Sequence, residues 1–387
     1  MRVVTGTWSA EAGWSRPPAE FAEAARDGGA TTMVLAFADS GLRADPSAID
    51  EIARLLPAAA VIGCSTAGQI LGETISPTPL VVAAVHFDEV RPQAAWASVS
   101  EADGTTALGR LLGDRLTARL GGDESGTVFV LADGIVVNGS ELVDGLREVV
   151  PEGVGISGGL AGDGPRFEDT WVYADGQVRA EAVAAIALTG PALEVSYGLA
   201  GGWEAFGPYR LVTESHGNVL HQLDGRPALA LYKEYLGDRA TQLPASALLF
   251  PLSVRAPEGD VELVRTVLGV DEATSTMTFA GDIPEGWTAR LMRTTLDRLI
   301  DAAGVAAEHA SRGEGRNELT IAVSCVGRRL VLGERSDEEV EAASSTLGSS
   351  SPLIGFYSYG EISPHSGQSE LHNQTMTLTT LSESTAR

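Results

Sequence analysis

Lysine is almost missing from this chain: Lys233 is the only one among 387 residues. A Walker phosphate loop needs a GKS or GKT sequence, and none is present. A Schiff-base or pyridoxal-phosphate enzyme would depend on that single residue, which sits in ALYKEYLG, a helical stretch where a solvated side chain is the ordinary expectation. Cysteine is equally scarce. Cys64 and Cys325 lie far apart with no CxxC, and a reduced, cytoplasmic setting is the simplest reading. No apolar run approaches the roughly 18 residues that span a bilayer, and Met1-Arg2-Val3-Val4-Thr5 lacks a signal-peptide core. Positive charge is short overall: 27 Lys+Arg stand against 52 Asp+Glu, a net charge of −25. Such a surface repels phosphate backbones and anionic lipid, which argues against nucleic-acid and membrane partners.

Core material is plentiful. Hydrophobic residues make up 44% of the chain, enough to exclude general disorder, and the length suits two or three domains. The first half alternates strands and helices at α/β spacing. Thr32–Phe37 reads as a buried strand, Asp45–Leu56 as a helix with apolar spacing of three and four, and Ala58–Gly63 as a second strand. Past Pro151 glycine is dense, and strands around an Asp175-Gly176 turn suggest meandering β-structure. Gly190–Gly207 reads as a crossing, with Gly201-Gly202 a hinge candidate. In the second half Pro227–Leu236 is a helix, Glu262–Val270 a strand, Thr288–His309 the longest helical run and Ser336–Leu347 an acidic helix. An apolar strand meets a cysteine-bearing turn at Val61–Cys64 and again at Ala322–Cys325, which suggests a remote duplication. Near the C-terminus, Gly360–Gln374 is a long polar loop between two strands, and loops of that length are usually functional or disordered.

Several stretches carry a family pattern: IGCSTAGQI (Ile62–Ile70), FVLADG (Phe129–Gly134), ISGGLAGDG (Ile156–Gly164), LDGRPALALY (Leu223–Tyr232), SCVGRRLVLG (Ser324–Gly333), then GFYSYGEISP and LHNQTMTLT at the end. In this order the chain resembles the FIST proteins, a prokaryotic sensory family with relatives in eukaryotic ubiquitin signalling. The resemblance implies an N-terminal and a C-terminal FIST module that bind small ligands, amino acids among the candidates. It implies no established catalytic chemistry.

Each candidate site has a bland reading beside it. Cys64, Ser65 and Thr66 stand on a turn whose free N–H groups would hold a carboxylate; Cys64 is alternatively plain core, or a nucleophile lacking a local base. Gly159 lies in a run with too many glycines for packing alone, and Asp163 beside it either meets an ammonium group or caps the turn. Arg328, soon after Cys325, offers a bidentate grip on a carboxylate, or a salt bridge. Glu361 near Tyr359 suits an amine. His365 and His372 with Glu361 would supply the three protein ligands of a catalytic zinc, but without HExxH spacing. Asn373 and Gln374 suit loop bracing.

The reading that follows is a mixed α+β protein. Two modules, residues 1–190 and 223–387, each have a sheet core faced by helices and are joined by a crossing at 191–222. Its function is that of a cytoplasmic sensor whose small-molecule ligand lies between the cysteine turns and the closing loop. Arg328 would hold the carboxylate and Glu361 the ammonium of an amino-acid-like zwitterion. No cofactor or metal is expected, and output passes through a separately encoded signalling partner or self-association. The alternatives are a cysteine- or metal-dependent hydrolase and an acidic interaction scaffold.

Overall fold

The computed structural model describes the chain except residues 26, 119–125, 244, 259–261, 312–317, 349–350, 366 and 385–387. One order of elements recurs three times. In the first unit β1 (Arg2–Ser9) and the short β2 (Gly13–Trp14) precede β3 (Thr32–Ala38), α1 (Ser47–Leu55) and β4 (Ala60–Ser65). A hairpin of β5 (Gln69–Leu71) and β6 (Thr74–Ser76) then leads into β7 (Leu80–His86). The second unit runs β8 (Arg91–Ser98), α2 (Thr105–Thr117), β9 (Gly126–Ala132), α3 (Gly139–Arg147) and β10 (Gly155–Leu160). Its hairpin is β11 (Val172–Ala174) with β12 (Gln177–Arg179), and its last strand is β13 (Ala182–Thr189). The third opens with β14 (Leu193–Ala200), and a lobe follows before the pattern resumes.

The lobe holds β15 (Glu204–His216), β16 (Val219–Leu223), β17 (Arg226–Pro227), α4 (Ala228–Leu236), β18 (Leu252–Arg255), β19 (Glu262–Arg265), β20 (Val267–Asp271), β21 (Thr276–Phe279) and β22 (Thr288–Arg293). Its sheet runs in the order β19-β18-β22-β15-β16-β21-β20. The two outermost strands are separated by Thr266 alone, and one residue spans only about 3.5 Å, so the sheet has to curl round on itself. Leu229, Leu231, Tyr232 and Leu236 of α4 fill its interior. After the lobe come α5 (Leu296–Ala310), β23 (Leu319–Cys325), α6 (Val326–Leu332), α7 (Ser336–Leu347), β24 (Leu353–Ser358), the hairpin β25 (Gly360–His365) and β26 (Gln368–His372), and β27 (Met376–Glu383).

In every unit the strands flanking the helical connection pair in parallel: β3 with β4, β9 with β10, β23 with β24. The returning strand (β7, β13, β27) lies antiparallel to the first of them, and the leading strand (β1, β8, β14) pairs with the returning one. The hairpins are exchanged in a ring. β5–β6 extends the third unit through β24, β11–β12 extends the first through β4, and β25–β26 extends the second through β10. Equivalent bonds tie the units together where strands cross: Gly162 N–H to Ser65 O (3.0 Å), Tyr359 N–H to Leu160 O (3.2 Å) and Ala67 N–H to Tyr357 O (2.8 Å).

Strands buried on both faces read as continuous apolar runs, and these do. Leu35 and Phe37 point into a core shared by all three sheets, with Phe129, Ile321 and Phe356. Val34 and Ala36, on the opposite face of β3, pack under Ile49 and Ile52 of α1.

The structure is mixed α+β, as expected, but it revises several elements. Gly360–Gln374 is no loop: most of it is the β25–β26 hairpin, in which Glu361, His372, Asn373 and Gln374 are buried while His365 stays exposed. Thr288–His309 is split. Its first six residues pair with β15 and β18, and Thr295 caps α5 by accepting the Arg298 N–H at 3.3 Å. Glu262–Val270 breaks at Thr266 into two strands on opposite edges. The two cysteine turns are not equivalent, since Cys64 lies on the second strand of a parallel pair and Cys325 ends the first. By register, Gly63 matches Gly158 and Gly355, while Cys325 matches Asp39 and Asp133. Residues 191–222 carry β14, β15 and the start of the lobe.

Candidate functional site

The closing segment lies where the lobe meets the three-sheet core. Glu361 on β25 stands between Gly159 on β10 and His372 on β26, paired in register with both. It is wholly buried. Its carboxyl meets Ser358 Oγ at 2.7 Å through Oε1, and Thr375 N and Oγ1 at 3.1 and 2.9 Å through Oε2. Burial pushes its pKa up to about 8, opposed by these hydrogen bonds and by Arg328. At neutral pH Glu361 therefore holds a proton. Ser358 Oγ, the donor to Glu361 Oε1, also lies 3.3 Å from Ser324 O, so the carboxyl sits on a short polar chain inside the core.

Cys325 lies close enough to Glu361 for the carboxyl to act on its thiol, and the main-chain N–H groups of Gly327 and Gln374 face its sulfur. Burial is nevertheless the largest influence and raises the thiol pKa. His372 is buried too. Desolvation brings its pKa down to about 3, so the ring is neutral, with Nε2 3.2 Å from Ser363 O.

Arg328 does not offer the expected grip on a ligand carboxylate. Its guanidinium is fully buried. Nε and Nη2 donate to Glu339 at 2.9 and 2.7 Å, Nη2 also to Leu299 O, and Nη1 to Gly201 O and Gln374 O. All five N–H groups are thus committed. Glu339 takes further bonds from Tyr357 (2.7 Å) and Ser324 (3.2 Å). Sequence reasoning missed Glu339 because a single inward-facing acid on the acidic α7 leaves no pattern.

The other expected residues lie elsewhere. Cys64 is in the shared apolar core, its thiol pKa raised by burial. Ser65 Oγ accepts the Trp171 N–H, and Thr66 Oγ1 accepts that of Gly68. Asp163 caps its own turn, accepting from the N–H groups of Phe167, Glu168 and Asp169 and from the Tyr359 hydroxyl. The structure therefore gathers Gly159, Cys325, Glu361, His372 and Asn373, and sets Cys64, Ser65, Thr66 and the Asp163–Tyr359 pair apart. Among the described residues, no three His, Cys, Asp or Glu side chains converge as metal ligands.

The junction has its own fasteners. Arg265, from the lobe, donates to Leu371 O (3.0 Å), and Asn138 to Asp282 (2.9 Å). Gln374 reaches Leu248 O at 3.5 Å, and its carbonyl accepts from Trp203 Nε1. Its backbone is left-handed (φ 60°), a strained state for a residue with a side chain. The Asn373 Nδ2 donates to His372 O. Asn373 Oδ1, Gln374 Oε1 and the neighbouring Ser363 Oγ are buried without a partner among the described residues. An unmet buried acceptor costs about 1–3 kcal/mol. Arg328 is cancelled by Glu339, the buried Arg265 guanidinium acts on His372, and two amide oxygens here lack a donor among the described residues.

Comparison with known proteins agrees with this architecture. The FIST N domain matches residues 32–226 and the FIST C domain residues 228–364. An uncharacterised protein of Mycobacterium bovis is 27% identical over 241 residues, covering 58% of this chain and 60% of its own length. An uncharacterised protein of Mycobacterium tuberculosis is 28% identical over 252 residues, covering 61% and 63%. One from Methanocaldococcus jannaschii is 26% identical over 307 residues, covering 73% and 57%. The chain thus spans about 60% of the length of these curated relatives. With two family domains matched across most of its length, the chain belongs to the FIST family, whose domains generally serve as sensory modules in signal transduction.

Proposed function

We propose that this FIST protein senses a small, donor-rich metabolite, an amino acid or a related amine, bound where the lobe meets the core. The observation that carries the reading is the pair of buried acceptors without partners, Asn373 Oδ1 and Gln374 Oε1. Both call for N–H or O–H donors, and ligand sites favour domain junctions. The ligand contributes an ammonium or amide donor to these oxygens. Arg328, being engaged by Glu339, takes no part in binding it. Entry requires the lobe to part from the core about the Gly201-Gly202 connection. That connection is held by Arg328 on Gly201 O and by Thr294 on Gly202 O, both at 2.7 Å. A cytoplasmic location and a separately encoded partner complete the reading.

Native mass spectrometry of gently purified full-length protein, followed by calorimetry with free amino acids and small amines, tests it. Gln374→Ala and Asn373→Ala should each weaken binding by about tenfold or more, the loss of roughly one well-made hydrogen bond in a dry site, with the thermal midpoint kept. No retained small molecule, and no amine or amino acid that binds, would overturn the reading.

A further inference from the structure

The leading strands of the three units occupy equivalent places, each at or next to the rim of its sheet. Two of the three are covered. β1 is paired on its outer side by β2, with Trp8 opposite Trp14. β8 is sealed by side chains, since Arg115 donates to Trp96 O at 2.5 Å and Glu101 accepts the Ser98 N–H at 2.8 Å. Among the described residues β14 has no outer partner strand, and no side chain bonds the main chain of Val195 or Tyr197.

The register fixes which groups of β14 are open. Cys325 N–H bonds to Thr375 O. Main-chain groups along an antiparallel strand alternate sides, so Thr377 and Thr379 face β23, whereas Leu378 and Thr380 face β14. Their partners Gly198 and Ser196 therefore bond to β27, and Val195 and Tyr197 turn their N–H and C=O outward. Among the described residues nothing bonds those outward groups. The residues of outward parity, Leu193, Val195 and Tyr197, line a groove of 730 Å³. Its other walls are the segment 150–156 and the tip of the β25–β26 hairpin.

Exposed edges are normally blunted by lysine, proline, a bulge or shortness. β14 has eight residues, LEVSYGLA, and no register shift against β27. We propose that β14 is a docking edge for an extended peptide segment of a partner protein, which adds as a further strand along Val195 and Tyr197. The recess decides the occupant. The sheet edge of a second folded copy would meet the groove walls first, and two copies at −25 each repel, whereas a single strand enters the groove. Val150, Val154 and Leu193 give the groove apolar walls, and Arg147, which also lines it, is engaged by Asp144 and Gln368. The segment is accordingly weakly charged, with apolar residues at alternate positions.

Amide hydrogen exchange on the full chain tests this, with an acetylated peptide of alternating threonine and valine flanked by arginines as probe. In the free chain the Val195 and Tyr197 amides should exchange rapidly and that of Gly198 slowly. The probe at about 1 mM should slow the first two by roughly tenfold. Val195→Pro removes an outward N–H, which edge strands tolerate; it should weaken probe binding about fivefold or more with the thermal midpoint kept. Ser196→Pro, which removes a bond to β27, should lower the midpoint instead. Three results would each overturn the proposal: slow Val195 and Tyr197 exchange in the free chain, no protection by the probe, or a dimer in sedimentation that Val195→Pro disperses.

Discussion

Glu361 makes stability depend on pH in a direction opposite to most carboxylates. Its folded pKa of about 8 lies above the unfolded value, so the folded chain keeps a proton that the unfolded chain has released. Stability from this group is complete below about pH 4.5 and is lost, by up to about 1.4 kcal/mol per unit, as pH rises through 8. His372, lowered to about 3, acts the other way, since protonation of the unfolded chain removes stability as pH falls below about 6.5. The two slopes offset each other between about pH 4.5 and 6.5, so the window for seeing Glu361 is above that. From pH 6.5 to 8 the protein should lose about 2 kcal/mol in urea unfolding that Glu361→Gln does not lose. Glutamine keeps the shape of the carboxyl while removing the ionisation. Equal slopes in the two proteins would mean that Glu361 is ionised in the fold. At this scale the sequence told half the story. His372, Asn373 and Glu361 were legible as a polar group inside a motif. That Arg328 serves Glu339 was not, because the partner sits on another element and burial leaves no mark in composition.

Elements were legible where periodicity is local. Thr32–Phe37, the α1 stretch and Ser336–Leu347 are recovered nearly to the residue, since their apolar spacing is set by their own two faces. Thr288–His309 failed because its first residues satisfy a helical pattern as well as a strand pattern, and the strands that claim them lie elsewhere in the chain. The β25–β26 hairpin failed for the same kind of reason, its polar residues being made inner ones by β10. The glycines matched by register have a sharper role. At Gly63, Gly158 and Gly355 a Cβ would run into the carbonyl of the facing parallel strand, at Ala36, Val130 and Ala322 respectively. Gly355→Ala should therefore cost about 1–3 kcal/mol in thermal or urea unfolding. Gly269→Ala on the lobe, with nothing near the added carbon, should stay within about 0.5 kcal/mol. Equal effects would show that strand separation around Gly355 is adaptable.

At the scale of the molecule, two family domains do not make two separable bodies. The sheet of the middle unit is extended by β25–β26 from the far end of the chain, and the sheet of the third by β5–β6 from near the beginning. Residues 1–190 alone should leave the outer edge of β10 unpaired. They should lack the cooperative unfolding transition of the full chain, with amide spectra of a collapsed, poorly dispersed state; a well-dispersed monomer would contradict this. The ring of exchanged hairpins also sets a clock on biosynthesis. β10 emerges from the ribosome about 200 residues before the hairpin that completes its sheet, a wait of roughly 10–40 s at about 5–20 residues per second. During that interval a Gly-rich edge stays open on a nascent chain, and only the late β25–β26 hairpin releases the molecule from the risk of joining its neighbours on the polysome.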